Sequence, residues 1–358
     1  MNGGDGGYNQ ISPDDEYQWF VSNPPDSISG VNIFSCSLGI GCVTLDFQND
    51  QVVSSATVGG DTGPYYSPFI LDPQNSQDLI VGTCRIWRGP SAGGSYTLLS
   101  PNFETEGDAI CTGAETNLVS SVAAGVLDTT TGLSKVIYAG TDGFGPLLPT
   151  SPTGGHLWVS TNVAGGTPTW ADRTGSINPE NFPISSIALD AADTAGLTAY
   201  AGIMGFNVSH VWQTFNGGAT WTDFTGNLTD APVNTLLVDP GPTTSTSTIY
   251  VGTDVGVFYT SAIAPEWTEL GPAPDGDSGQ SPGYLPNVPV TALAMFNTAT
   301  TKLLRASTYG RGIWQYPLLV TPDFAFSVSD PSATVFAGNP PRSLETSTPS
   351  TATTIRLA

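Results

Sequence analysis

Positively charged residues are scarce in this 358-residue chain, which has 9 lysines and arginines against 31 aspartates and glutamates. The formal net charge is −22. A surface of this sign repels phosphate backbones and anionic lipid headgroups, because both carry negative charge. We therefore expect no nucleic acid partner and no insertion into a membrane.

Long apolar runs and helical patterns are also missing. No stretch of 18 consecutive apolar residues occurs, so the sequence predicts no membrane-spanning helix. No window keeps the apolar spacing of an amphipathic helix over the 11 or more residues that such a prediction needs. The chain contains 42 glycines and 29 prolines instead. This composition predicts an all-β protein of many short strands joined by turn-rich loops.

Metal-ligand patterns are almost absent. The two histidines, His156 and His210, are isolated, and no Cys-x-x-Cys pair occurs, which excludes the common zinc sites. The acidic loop Asp275–Gly279 offers weak support for calcium, but it lacks the ligand series of a calcium-binding loop and is more typical of a solvated turn. We predict no cofactor.

The four cysteines are compatible with two disulfides. Cys36 and Cys42 bracket a glycine-containing loop that a local disulfide can close, which leaves Cys84 and Cys111 as the second pair. This arrangement favours an oxidising compartment, and the alternative is four buried thiols. We expect an extracellular or cell-surface protein. Met1–Asp5 show no signal peptide, so we expect either a start further upstream or a fragment.

A short motif recurs along the chain at intervals of 50 to 62 residues, typified by Tyr250-Val251-Gly252-Thr253. Each copy follows an apolar run and precedes a run with an aromatic residue, and most units add a fourth strand that begins at an aromatic residue. The six copies begin at Phe20, Ile80, Tyr138, Tyr200, Tyr250 and Arg305.

A repeat of four antiparallel strands with continuous apolar inner runs is typical of a β-propeller blade, because neighbouring blades cover both faces of the inner strands. The six units span about 3–47, 59–103, 118–174, 184–228, 233–270 and 288–318. We predict a propeller of six or seven blades over residues 1–319, with an incomplete sixth unit of three strands. Residues 320–358 form a Ser/Thr/Pro-rich tail that resembles a truncated immunoglobulin-like module.

The octet Thr214–Trp221 reads as a turn between two outer strands. Asn216-Gly217 is a strong hairpin signal, because both residues tolerate the positive φ of a tight turn. The octet resembles the Asp-box, or BNR repeat, with Asn216 at the usual Asp position. The residues that match the structural box are Thr214, Asn216, Gly218, Thr220 and Trp221.

The repeat, this octet and the closing run Ala306–Trp314 together resemble the Asp-box propellers. That group includes the family 74 glycoside hydrolases, which are xyloglucanase-like, and the sortilin-type receptors. The resemblance implies the propeller fold. Its implication for function is weaker, because enzymes and binding proteins share the blade.

Two classes of loop should open on the same face beside the central channel. The loops between blades supply two Gly-Gly-Asp-x-Gly segments, which contain Asp5 and Asp61 and precede Tyr8 and Tyr65. The loops between second and third strands supply residues from other blades. The predicted substrate-binding residues are Tyr65, Tyr66, Arg85, Asp142, Phe144, Asp254, Tyr309 and Arg311.

The two glycine segments resemble the stretch that carries a catalytic Asp in xyloglucanase-like enzymes. An inverting glycosidase needs two carboxyls about 6.5–9.5 Å apart, and Asp5 and Asp61 in adjacent blades can supply them. The alternative is that each Asp caps its own glycine turn.

The resulting hypothesis is a monomeric extracellular propeller that binds polysaccharide, and hydrolysis of that polysaccharide is a second hypothesis. The alternatives are a non-catalytic propeller that binds another extracellular protein, and a truncated inactive remnant.

Overall fold

The computed structural model describes residues 7–24, 30–112, 115, 117–143, 154–271 and 285–320, together with two strands in the C-terminal tail. The predicted all-β propeller is confirmed. Six antiparallel blades follow one another, and the first five have four strands each while the sixth has three. Among the described residues, no helix has the length and apolar character needed to cross a membrane.

Each blade is a simple meander in which consecutive strands pair. The strands of the first three blades are β1 (Asn9–Ile11), β2 (Trp19–Ser22), β3 (Asn32–Cys36), β4 (Gln51–Ser54), β5 (Phe69–Asp72), β6 (Asn75–Gly82), β7 (Ile86–Pro90), β8 (Thr97–Leu98), β9 (Val119–Leu127), β10 (Ser134–Thr141), β11 (Leu157–Ser160) and β12 (Ala171–Asp172).

The other blades continue the pattern. Their strands are β13 (Ile184–Leu189), β14 (Ala199–Ile203), β15 (Val211–Thr214), β16 (Thr222–Asp223), β17 (Val233–Asp239), β18 (Thr248–Thr253), β19 (Gly256–Ser261), β20 (Ala264–Glu269), β21 (Val290–Asn297), β22 (Thr301–Thr308) and β23 (Gly312–Val320). In the tail, β24 (Phe324–Val328) pairs with β25 (Glu345–Pro349).

Helical structure in the described residues is short. One five-residue helix, α1 (Thr44–Gln48), and a 3-10 turn, Gly39–Gly41, lie between β3 and β4, and a second 3-10 turn, Thr244–Thr246, precedes β18. The insertion places the outermost strand of the first blade at Gln51–Ser54. The blade therefore extends beyond Phe47, where the sequence repeat predicted its end.

The hydrophobic core is divided into layers between consecutive blades. Five clusters of buried side chains each combine residues of two neighbouring blades, from the first pair to the fifth. The innermost strands at the two ends of the series keep exposed side chains, including Ile11 at 53% and Phe296 at 37%. Burial between blades thus explains why second strands such as β14 are buried at every position, whereas the innermost strand β9 keeps an alternating pattern.

The glycine of the recurring motif is explained by this packing. It is the last or second-last residue of a blade's second strand, where the next blade's innermost strand places a β-branched side chain. A Cβ added at Gly140 would lie 2.6 Å from Ile184, and one at Gly252 would lie 2.6 Å from Val290. The same relation joins Gly82 to Val119. Any larger residue here would push adjacent blades apart.

The turn at Thr214–Trp221 connects β15 to β16, as predicted for an outer-strand turn. Thr220 donates its N–H to Asn216 Oδ1 at 2.9 Å, and Gly218 donates its N–H to Thr214 Oγ1 at 3.0 Å. The positive φ values fall on Gly217 and Gly218, at 69° and 77°, and not on Asn216. The predicted assignment of positive φ to Asn216 was therefore wrong, because the side chain of Asn216 instead holds the turn through hydrogen bonds.

Tryptophans near the outermost strands tie each of three blades to the preceding one. The indole N–H of Trp221 donates to the carbonyl of Arg173 at 2.8 Å, and that of Trp170 donates to the carbonyl of Leu99 at 2.6 Å. Trp267 repeats the contact in the fifth blade, with the carbonyl of Phe224 at 3.2 Å. These bonds satisfy a buried donor and fix the spacing of the outer strands.

Candidate functional site

A cleft of about 260 Å³ opens where the loop between the first two blades meets the third blade. Residues before β1 and β5 form one wall, and residues at the start of β9 and the end of β10 form the other. Both predicted loop classes therefore contribute to one cleft, as the blade geometry requires. The cleft is lined by Tyr8, Pro64, Tyr65, Tyr66, Val119, Ser120 and Asp142.

Three tyrosines give this cleft its aromatic character. Tyr65 is 52% exposed and Tyr8 is 41% exposed. The rings of Tyr65 and Tyr66 meet edge to face, with centroids 4.9 Å apart. Tyr8 is fixed at its other end, because its hydroxyl donates to the carbonyl of Ser120 at 2.7 Å. We define these three residues and Asp142 as the tyrosine cleft.

Glycines in the two Gly-Gly-Asp-x-Gly segments allow neighbouring side chains to pack directly against the backbone. A Cβ added at Gly7 would lie 2.5 Å from a ring carbon of Tyr66 and 2.6 Å from the hydroxyl of Ser22. In the second glycine segment, a Cβ at Gly59 would lie 2.8 Å from the ring of Trp87, which lies outside the cleft. Glycine in these two segments is thus needed for close packing.

Asp142 is the acidic group of the cleft in the part of the chain that the structure describes. Its backbone is anchored on both sides, because its N–H donates to the carbonyl of Leu118 at 2.7 Å and its carbonyl accepts the N–H of Gly155 at 2.6 Å. Burial raises the pKa of the Asp142 carboxyl to about 6. Burial, followed by the charge of Asp142, raises the pKa of Tyr8 to about 12.

Exchanging Asp142 for asparagine should change how stability depends on pH. The folded-state pKa of about 6 lies above the usual 3.8, so the folded protein holds this proton more tightly than the unfolded chain. The free energy of unfolding of the wild type should therefore fall relative to Asp142→Asn as pH rises from about 4 to 6. The upper limit of the change is about 3 kcal/mol, which partial exposure reduces.

Urea unfolding of both proteins at several pH values measures this difference. A gap between the two proteins that stays constant from pH 4 to pH 7 would show that the carboxyl does not titrate with a raised pKa.

Asp61, predicted to be one of two catalytic carboxyls, lies in a buried network of polar contacts. It is 0% exposed and pairs with Arg85, which is 4% exposed. It also accepts hydrogen bonds from Thr83 Oγ1 at 2.8 Å, from Trp87 Nε1 at 2.9 Å and from the N–H of Cys111 at 3.0 Å. This buried network uses both carboxylate oxygens. It leaves the catalytic role of Asp61 without geometric support.

The alternative reading of Asp61 also needs revision. Its carboxylate accepts the backbone N–H of Cys111, and not an amide of its own glycine turn. Arg85, predicted to bind substrate, is committed to the same network: its Nε donates to Asp61 at 2.9 Å, and its Nη1 donates to the carbonyl of Asp108 at 3.2 Å. Together these contacts join the second blade to the segment that contains Cys111.

The other predicted site residues are distributed over the fifth and sixth blades or lie outside the described residues. Asp254 accepts a hydrogen bond from Asn234 Nδ2 at 2.9 Å, Tyr309 is 78% exposed, and Arg311 is also exposed. None of these three lines the cleft. Asp5 and Phe144 lie outside the described residues, as does the acidic loop Asp275–Gly279.

Sequence reasoning missed Tyr8 as a site residue. Its position directly after the first glycine segment, in parallel with Tyr65 after the second, was the available signal. Ser120 had no such signal, because it contributes its backbone carbonyl at the start of an inner strand.

Both predicted disulfides are confirmed, since Cys36 is bonded to Cys42 and Cys84 to Cys111. Within the described ranges, no group of three or more His, Cys, Asp or Glu residues is placed to hold a metal ion.

One of three similar solved structures, an ancestral GH74 enzyme, supports the fold. An ancestral GH74 enzyme superposes with a TM-score of 0.52 at 13% identity, over 88% of this chain and 36% of that one. A GH74 enzyme from Niastella koreensis superposes with a TM-score of 0.47 at 14% identity, over 88% of this chain and 46% of that one. Sqt1 from Chaetomium thermophilum superposes with a TM-score of 0.47 at 10% identity, over 86% of this chain and 68% of that one.

The chain thus spans less than half the length of both GH74 enzymes. No protein-family model matches the sequence, and no curated protein is similar to it. At such identities the likeness is one of fold, and this chain shares the propeller architecture of an ancestral GH74 enzyme.

Proposed function

We propose that the protein binds an extended polysaccharide across the tyrosine cleft. The observation that carries this proposal is the meeting of three tyrosines and one partly buried carboxyl in a single open cleft. Ligand sites are concave and mostly apolar, with a few polar groups that fix orientation. Tyrosine rings supply flat apolar faces for sugar rings, and Asp142 supplies a hydrogen-bonding group for sugar hydroxyls.

The shape of the cleft supports a chain-like ligand. Its volume of about 260 Å³ is close to the lower limit, about 300 Å³, of sites that enclose a whole small molecule. A cleft of this size that opens to solvent suits a short segment of a longer molecule. The shared fold with a GH74 enzyme supports a glycoside as the ligand class.

Hydrolysis is the second part of the proposal. A glycosidase needs an acid that still holds its proton near the working pH. Burial raises the pKa of Asp142 to about 6, so this carboxyl suits the role of proton donor to the leaving oxygen. An inverting mechanism needs a second carboxylate to activate water. Asp5, the carboxyl of the other glycine segment, is the candidate for that role.

Binding is tested by replacing Tyr65. We expect Tyr65→Ala to weaken binding to xyloglucan or mixed-linkage glucan at least tenfold, because it removes the most exposed ring of the cleft. Affinity electrophoresis or calorimetry measures the change. Tyr17→Ala is the matched control, since Tyr17 is 56% exposed and lies outside the cleft. Equal losses in both variants, or no binding by the wild type, would reject the proposal.

Hydrolysis is tested separately by release of reducing sugar. Asp142→Asn and Asp5→Asn should each abolish release while retaining binding to the polysaccharide. A wild-type protein that binds but releases no sugar would reject the catalytic part and leave the binding part intact.

A further inference from the structure

The insertion between β3 and β4 holds a group of large apolar side chains in solvent. Ile40 is 95% exposed, Leu45 is 65% exposed, and Val43 and Leu38 are 55% and 54% exposed. Tyr17, from the loop between β1 and β2, is 56% exposed and lies beside them, because its carbonyl accepts the N–H of Gly39 at 2.9 Å. We define these five residues as the apolar platform.

The platform is built on a rigid base. The disulfide between Cys36 and Cys42 closes the loop, and both cysteines pack with buried Phe47 in a small core of their own. Trp19 and Phe34, from the strands below, pack against that core. The exposed side chains are thus fixed by a covalent bond and a hydrophobic core. Several exposed apolar side chains concentrated on one fixed loop mark an interaction site.

The charged residues in the part of the sequence that contains the platform are all acidic. Residues 1–84 contain no lysine, arginine or histidine. Asp14, Asp15 and Glu16 are exposed directly before Tyr17, and Asp50 is exposed after α1. The described ion pairs all lie beyond residue 60, so none of them neutralises these carboxylates.

This charge pattern selects among the partners that an apolar surface can bind. A second copy docked by two-fold symmetry would bring the same carboxylates against each other, which is unfavourable. An anionic membrane would be repelled for the same reason. A partner that presents apolar side chains flanked by lysine or arginine satisfies both the apolar surface and the surrounding charge.

We propose that the apolar platform docks a basic amphipathic helix of a partner protein. Such a helix presents apolar anchors at i, i+3, i+4 and i+7, which can pack on a loop that exposes four aliphatic side chains. Basic residues beside those anchors pair with Asp14, Asp15 and Glu16 at the rim. This surface is separate from the tyrosine cleft and does not depend on the function proposed for it.

The probe for this proposal is a fluorescent synthetic helix of leucine and lysine with an amphipathic pattern. Fluorescence anisotropy with the full chain should show saturable binding, and a peptide of the same composition in scrambled order should bind at least tenfold more weakly. Ile40→Ser/Leu45→Ser should weaken binding of the helix at least tenfold. Ile263→Ser is the matched control, because Ile263 is 74% exposed in the fifth blade, and it should leave binding unchanged.

A second variant tests the contribution of the acidic rim to binding of the helix. Asp15→Asn/Glu16→Gln should weaken binding severalfold and reduce its dependence on salt. Equal affinity for the scrambled peptide, or equal losses in the Ile263 control and the platform variant, would overturn the proposal. Two other results would also overturn the proposal. One is binding of the wild type to phosphatidylcholine vesicles that the platform variant loses, and the other is dimerisation in sedimentation experiments that the platform variant loses. In either case the platform would bind a membrane or a second copy of the chain.

Discussion

Replacing Asp61 with asparagine will lower the free energy of unfolding by about 3 to 5 kcal/mol, because it removes one partner of a buried ion pair. Asp61 is 0% exposed and Arg85 is 4% exposed. Without the carboxylate, the guanidinium keeps its charge in a site with little water. Thr83, Trp87 and Cys111 also lose an ionised acceptor for their hydrogen bonds.

Chemical denaturation of the two proteins at neutral pH measures this loss. Asp108→Asn is the matched control, because the Asp108 side chain is exposed and Arg85 uses only the backbone carbonyl of that residue. The control should change stability by less than about 0.5 kcal/mol. A fully stable Asp61→Asn protein that has lost hydrolysis alone would contradict the structural role and restore the catalytic one.

Removing the disulfide between Cys84 and Cys111 has the second largest expected effect. The bond closes a loop with a sequence separation of 27. Chain entropy predicts that Cys84→Ala/Cys111→Ala destabilises the fold by about 3.5 kcal/mol. This loss of stability should not be additive with that of Asp61→Asn, because the N–H of Cys111 donates to Asp61 at 3.0 Å.

The other disulfide is an internal comparison. The loop between Cys36 and Cys42 has a separation of 6, so Cys36→Ala/Cys42→Ala should cost only about 2 kcal/mol. Thermal or urea unfolding gives both values. A larger loss for the shorter loop would contradict the account. Thiol titration of the unreduced, denatured wild type should find no free cysteine.

The sequence was informative about the blades because their packing constrains residue types. A glycine such as Gly140 or Gly252 is required where the next blade's side chain occupies the space of a Cβ. Tryptophans such as Trp221 recur because each forms a hydrogen bond from the outer part of one blade to the preceding blade. Both signals repeat at blade intervals, so the sequence alone predicted the fold and the blade order.

The site was less predictable, because the sequence does not distinguish a buried aspartate from an exposed one. Asp5 and Asp61 have similar glycine-rich flanks, yet Asp61 is enclosed by Arg85 and the segment containing Cys111, a contact across 50 residues. Loop geometry grouped Tyr65, Tyr66 and Asp142, and these three residues line one cleft. It also grouped Asp254, Tyr309 and Arg311 with them, although these residues do not line the cleft.

The short helix α1 is another element that the sequence did not predict. Thr44–Gln48 is too brief for apolar periodicity to reveal, and it is held by burial of Phe47 in the small core of the disulfide insertion. Tertiary packing therefore decides this element, and not helix propensity.

The most direct test of polysaccharide binding is hydrogen–deuterium exchange of the full chain with and without a bound xyloglucan oligosaccharide. The account predicts slower exchange at the residues that line the tyrosine cleft, at 8, 65–66, 119–120 and 142, with no change on the apolar platform at 38–45. Protection confined to other blades, or to the platform, would contradict the assignment of the ligand to this cleft.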